Sequence, residues 1–283
     1  MRREGAARRA ILQIHWGPMA FKKTILEPGQ VLQVGRSGKM GLCLPHDSQM
    51  SDAHFELTWD GEACRMRDLK STGTLLGGHP IEEGLAAHGD WIRAGSTDFT
   101  LHFEEFTQQG TLDDSAGKQE AFKLLSAQQA LYAVLDAARS HRVLELLQES
   151  VEEHRSLYEG PQGAALAEVA PYIVPLPPNS RLLKPLIQEG WGESWGIYLT
   201  CPLSLLETRR HLRKFLMAEA EGIEGRLYFR FYDPRVLKGF LPTCSSDQRR
   251  EFFGPISNLF YEAGDESLQV ISASAASTHF TGA

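Results

Sequence analysis

"VGRSGKMGLCLPHDSQMSDAHFEL" runs from Val34 to Leu57, and its reading decides the fold of the first half of the chain. An apolar–polar run closes at Gly35-Arg36. A Gly-containing turn and a polar loop through Ser51 follow, and alternation resumes at His54. On either side the same texture repeats. "ILQIHW" (11–16), "VLQVGR" (31–36), "HFELTW" (54–59), "CRMRDL" (64–69) and "FTLHFEEF" (99–106) mostly alternate. "EPGQ", "RSGKMG", "WDGEA" and "LLGGHP" separate them. Short period-two runs with Gly-rich turns predict an antiparallel β-sandwich over residues 1–106.

"TQQGTLDDSAGKQE" (107–120) has almost nothing to bury and reads as a linker. Beyond it the period changes. "ALYAVLDAA" (130–138), "APYIVPL" (170–176), "WGIYLTC" (195–201) and "RLYFRFYD" (226–233) read as strands. "RVLELLQESVEEHRSLY" (142–158) opens as helix and closes extended, and "SRLLKPLIQEGW" (180–191) is a helix carrying a Pro. "SLLETRRHLRKFLMAEA" (204–220) gives the clearest helical signal, with Ser204 and Glu207 spaced as a capping box. Alternating strands and helices predict an α/β domain over 121–272, followed by a flexible tail at 273–283. The fold class is therefore two domains.

The chain has 283 residues, 42% hydrophobic and 23% charged, which suits one large or two medium globular domains. A net charge of -7 without a long basic run disfavours nucleic acid as a partner. No run is long and apolar enough for a membrane span, and the apolar run at the start is too short for a signal peptide. Four scattered cysteines without a C-x-x-C pair read as reduced thiols of a cytoplasmic protein. Neither a metal nor a cofactor is expected, because ten dispersed histidines form no H-E-x-x-H motif and no P-loop is present.

Gly35-Arg36, the Ser51-x-x-His54 spacing, "DLKSTGTLLGGHPI" (68–81) and "HGDWIRAGSTDFTLHF" (88–103) follow one another in an order that resembles the forkhead-associated (FHA) domain, over roughly residues 10–106. The resemblance implies a β-sandwich whose loops bind phosphothreonine peptides. It makes Arg36, Ser51, Ser71 and Thr72 the candidate phosphopeptide-binding residues and gives His54 a scaffolding role beneath Ser51. A planar guanidinium fork and a hydroxyl donor are the groups a phosphate needs. The sequence departs from the family at Ser71-Thr72-Gly73-Thr74, where the usual Asn is absent, and at Leu76-Gly77-Gly78. A degenerate domain serving as a docking module is the other reading of this half.

"LAEVAPYIVPL" (166–176), "WGESWGIYLTC" (191–201) and "RFYDPRVLKGFLPTC" (230–244) with "FFGPI" (252–256) together resemble the adaptor-chaperone family of bacterial type VI secretion, a domain of unknown function, over roughly residues 128–264. That resemblance implies a non-enzymatic protein that binds a toxic effector and helps load it onto the secretion spike protein. Its partners would be the effector and the spike protein, with a phosphothreonine-bearing protein as a possible third. In a strand over 226–233, Tyr228, Arg230 and Tyr232 share one side, and Phe229 and Phe231 the other. Arg230 and Tyr232 are the candidate partner-binding residues. Asp233 and Arg235 are the candidate framework of the turn at Pro234.

Two other functions are weighed. The protein could be a phosphothreonine-reading signalling module whose second domain is the output. It could also be a serine hydrolase, since "GESWG" (192–196) matches G-x-S-x-G and Ser194, Asp233 and His279 could be drawn as a triad. A nucleophile elbow needs strand, Ser, helix, and here the order is reversed. No catalytic residue is therefore assigned.

Overall fold

A computed structural model describes residues 8–15, 19–104, 115–219, 226–264 and 266–274. The chain divides into two units, Met1–Gln109 with Gln148–Glu153, and Gly110–Leu147 with His154–Ala283.

The first unit contains two sheets. One is a six-stranded sheet in the order β2 (Lys23–Leu26), β1 (Ala10–Ile14), β11 (Thr97–Phe103), β10 (Trp91–Ala94), β7 (Thr74–Leu76), β8 (His79–Ile81). The other is five-stranded, in the order β4 (Leu42–Cys43), β3 (Val31–Gly35), β5 (Phe55–Trp59), β6 (Cys64–Asp68), β9 (Glu83–Ala86). All pairs are antiparallel except the short β3–β4 contact. The expected sandwich is present, and its alternation has the expected cause. In β5, Phe55, Leu57 and Trp59 point into the core while Glu56 and Thr58 stay half-buried. Phe55 packs edge-on against Phe99 at 5.6 Å, and Trp59 stacks on Phe103 at 4.6 Å. Each such buried aromatic contributes about 1.5–3 kcal/mol. Gly77 and Gly78, both at positive φ (56° and 85°), form the two-residue turn of the β7–β8 hairpin, which only such residues enter cheaply.

The second unit is built on a six-stranded sheet. Its order is β13 (Arg155–Ser156), β14 (Pro171–Leu176), β12 (Leu131–Asp136), β15 (Gly196–Thr200), β18 (Asn258–Glu262), β19 (Leu268–Ser272). Every pairing is antiparallel, so the alternation of strands and helices does not reflect parallel crossovers. Central strand β12 is buried along its whole length, as its near-continuous apolar sequence requires. The helices are α1 (Ala116–Ser126), α2 (His141–Glu149), α3 (Gly160–Ala165), α4 (Leu183–Gly190), α5 (Leu205–Arg213), α6 (Pro234–Phe240) and α7 (Ser246–Phe253). Pro185 sits in the first turn of α4, where a missing N–H costs little.

Three boundaries differ from expectation. The linker over 107–120 ends early: Ser115 caps α1 by accepting from the Lys118 amide, and Gly117 passes so close to the Glu266 carbonyl that a Cβ would collide. Residues 107–114 of the expected linker lie outside the described residues, as do 275–283 of the expected tail, including His279. The helix expected over 204–220 has its capping box but stops at Arg213, and β16 (Met217–Glu219) follows. The strand expected over 226–233 is only β17 (Arg226–Tyr228), paired with β16. Asp233 is the N-cap of α6 and Pro234 its first residue. Phe231 and Tyr232 are therefore not on opposite faces of a strand; both are buried, at 0% and 2% exposure.

Candidate functional site

Three loops of the first unit converge on Ser51. Arg36 follows β3, Ser51 lies between β4 and β5, and Ser71–Gly73 lie between β6 and β7. The Arg36 amide donates to the Ser51 carbonyl at 2.9 Å, and the Thr72 amide donates to Ser51 Oγ at 3.1 Å. Gly35 is required here, because a Cβ would run into the Asp52 carbonyl.

Beneath these loops His54 is fully buried. Its Nδ1 accepts the Ser51 amide hydrogen at 3.0 Å, which places the ring proton on Nε2, and Nε2 donates to the Gly73 carbonyl at 3.1 Å. The neutral imidazole thus pins two recognition loops at once. Asp68 pins the third contact. It accepts the Ser71 amide (2.8 Å), the Ser71 hydroxyl (2.5 Å) and the Thr74 hydroxyl (2.6 Å). Burial raises its pKa, but these hydrogen bonds outweigh burial and leave it below the usual carboxylate range. Asp47 does the same for the far side of the Ser51 loop, accepting from Ser96 N and Thr97 Oγ1 at 2.9 and 2.6 Å.

The four candidate phosphopeptide residues separate on this geometry. The Thr72 hydroxyl donates to the Gln49 carbonyl at 3.1 Å and its amide is held by Ser51. The Ser71 hydroxyl donates to Asp68 and accepts from Gly73 N at 3.0 Å. Ser71 and Thr72 therefore build the loop, and their hydroxyl hydrogens are committed to Asp68 and to the Gln49 carbonyl. Among the described residues Ser51 Oγ only accepts, so its hydrogen is free to be donated. Arg36 is 44% exposed and meets Asp52, itself 76% exposed, at 3.0 Å. A surface pair of this kind is worth about 0–1 kcal/mol, so an incoming dianion displaces it readily. Asp68 is a support of these loops that the sequence reading did not single out; the "DL" opening of "DLKSTGT" is the signal that it carried.

Residues 32–95 match the model of the FHA domain. Residues 131–251 match the model described as "Domain of unknown function (DUF4123)". The chain joins an FHA domain to a DUF4123 domain. A curated relative of the FHA portion, "FHA domain-containing protein FhaA" of Mycobacterium tuberculosis, is 38% identical over 69 residues. That match covers 24% of this chain and 13% of the relative, so the chain spans a small part of the relative's length. Two solved structures are similar at 32% identity. One is titled for phosphothreonine-dependent FHA domain interactions (33% of this chain, 95% of that chain, TM-score 0.31). The other is the FhaA FHA domain complexed with the intracellular domain of Rv3910 (33% and 99%, TM-score 0.30).

In the DUF4123 domain the expected partner-binding pair is corrected in part. Tyr232 is buried, and burial pushes its hydroxyl pKa up, so it is core. Arg230 is half-exposed, but its Nη2 is tied to the buried carboxylate of Asp136, and its guanidinium lies 6.0 Å from the Tyr232 ring. It is framework as well as surface. Asp233 accepts from Arg235 at N (3.0 Å), Nε (2.9 Å) and Nη2 (2.6 Å), which fixes the start of α6. The "GESWG" glycines have structural causes: Gly192 sits at φ 96°, and a Cβ on Gly196 would collide with the Val134 carbonyl. The amides of Gly192 and Ser194 both donate to the buried Glu262 carboxylate. Burial raises the Glu262 pKa against the opposing pull of these amides. Among the described residues no group of His, Cys, Asp or Glu could hold a metal ion, and no helix is long and apolar enough to cross a membrane. The four cysteines are free thiols.

Proposed function

We propose that the protein is a non-enzymatic adaptor with two binding ends. The FHA domain takes a phosphothreonine-bearing protein, and the DUF4123 domain takes a toxic effector and holds it for loading onto the type VI secretion spike. The observation that carries the first half is the backbone hydrogen bond that joins Arg36 to Ser51, on loops pinned by His54. An Arg fork and a hydroxyl donor held in advance lower the ordering cost of phosphate capture. The second half rests on the sequence resemblance of residues 166–256 to the adaptor family. The hydrolase reading loses support, because the Glu262 carboxylate already fills the amides of Gly192 and Ser194.

The test of the whole is effector-by-effector. Deleting the gene should stop delivery of one cognate effector while secretion of the tube continues. Loss of all tube secretion, or no loss of any effector, contradicts the adaptor role.

A further inference from the structure

One end of the DUF4123 sheet buries three carboxylates beneath exposed cations. Asp136 closes β12, Glu262 closes β18 and Asp233 caps α6; they are 0%, 7% and 3% exposed. Arg139, Arg230 and Arg235 are exposed above them, and Lys238 follows Arg235 by three residues on the same side of α6. The charges interlock: Arg139 and Arg235 act on Asp233, Arg230 on Asp136, and Arg235 also on Asp136 and Glu262.

Closing a turn does not require this arrangement. A buried carboxylate is costly, and its gain here is geometric: it locks the plane of a guanidinium. Asp233 holds Arg235 through Nε and Nη2, leaving Nη1 without a partner among the described residues. Asp136 holds Arg230 through Nη2, leaving Nε and Nη1 without partners among the described residues. Among the described residues Arg139 donates only to the Glu193 carbonyl, at 3.2 Å. Lys238 lines an open cavity of about 420 Å³ with Tyr261, Ala263, Gly264, Ser267 and Gln269. Exposed Val236 lies between Arg235 and Lys238 along the chain.

We propose that this basic ledge docks an acidic, extended segment of a partner protein, with its carboxylates on Arg139, Arg235 and Lys238 and a neighbouring side chain in the cavity beside Tyr261. Pre-set guanidinium forks match carboxylates in pairs, and the cavity accepts the side chain that a small anion lacks. A nucleic acid fits worse: the cations are few, and a chain of net charge -7 repels a long polyanion. The inference rests on the reading of this domain as a partner-holding one.

The test uses the full chain and a fluorescein-labelled eight-residue peptide of alternating Glu and Val, followed by anisotropy. Saturable binding that weakens with salt, with no binding of the Gln–Val counterpart, is expected. Lys238→Glu, whose side chain pairs with no buried group among the described residues, should bind about threefold or more weakly at an unchanged melting temperature. The double variant Arg139→Glu/Lys238→Glu, which also removes a cation acting on Asp233, should bind about tenfold or more weakly. Equal binding of the Gln–Val peptide, undiminished binding by the double variant, or preference for a single-stranded oligonucleotide or inorganic phosphate over the acidic peptide overturns the proposal. Because the readout is direct binding, failure here with effector delivery intact removes the ledge and leaves the adaptor role standing.

Discussion

The amide of Ser51 donates to Nδ1 of His54 over 3.0 Å, and this bond fixes both the tautomer of the histidine and the position of the serine hydroxyl. Through Nε2 the same ring reaches the Gly73 carbonyl at 3.1 Å, so loops joined by bonds spanning 19 and 21 residues in sequence are held together.

His54→Ala removes a buried ring and leaves the Gly73 carbonyl unmatched. It should lower stability by about 1–3 kcal/mol and weaken phosphopeptide binding as well. Ser51→Ala should lose binding while changing stability by less than about 1 kcal/mol. Thermal melts paired with peptide anisotropy separate the two; equal destabilisation by both would contradict the division of roles.

Asp68→Asn replaces an acceptor of three hydrogen bonds by a group that must present N–H to at least one of the same donors. A loss of about 1–3 kcal/mol is expected, with faster amide exchange at Ser71 and Gly73. Unchanged exchange in that loop would show that Asp68 does not hold it.

The first unit should weaken on mild acidification. Burial first, then the neighbouring His88, Lys23 and His15, lower the His102 pKa to about 3, while an unfolded His titrates near 6.5. The unfolded chain therefore takes up the proton first. The stability that neutral His102 allows is complete above pH ~6.5 and drains as pH falls toward ~3. The lowered carboxylates Asp47 and Asp68 add their own loss only below about pH 4. Urea midpoints at pH 7, 6 and 5 should fall for the native chain and fall less for His102→Gln. Parallel slopes would contradict this.

Arg230→Glu and Arg235→Glu should both melt early. The first strips buried Asp136 of its cation, and the second strips Asp233. Because both arginines are about half or more exposed, the expected losses are about 1–3 kcal/mol, below the range for fully buried pairs. An unchanged melt for Arg230→Glu would make it the purely recognitional residue that the sequence pattern suggests.

The FHA sandwich was legible because strands such as Phe55–Trp59 alternate cleanly and its turns carry Gly or Asp where the backbone demands them. His54 and Arg36 were picked out through the resemblance to the FHA domain that Gly35-Arg36 and Ser51-x-x-His54 carry together. Ser71 and Thr72 were harder, since residue type does not reveal whether a hydroxyl faces a ligand or a neighbouring carbonyl. In the DUF4123 domain, the stretch from Arg226 to Asp233 alternates like a strand, yet Asp233-Pro234 is equally a helix start, and α6 prevails from there. Asp136 and Glu262 were missed because each ends an apolar strand, where a single acid looks like an ordinary boundary. Their partners are 94 and about 70 residues away, beyond any local pattern.

The central claim is that Arg36 and Ser51 capture a phosphothreonine. The measurement closest to it is calorimetric titration of the full chain with a phosphothreonine peptide selected from a library, alongside its unphosphorylated form, repeated with Arg36→Ala and Ser51→Ala. The account predicts binding of the phosphorylated peptide only, and its loss in both variants without loss of fold. Equal affinity for both peptides, or undiminished binding by either variant, would contradict it.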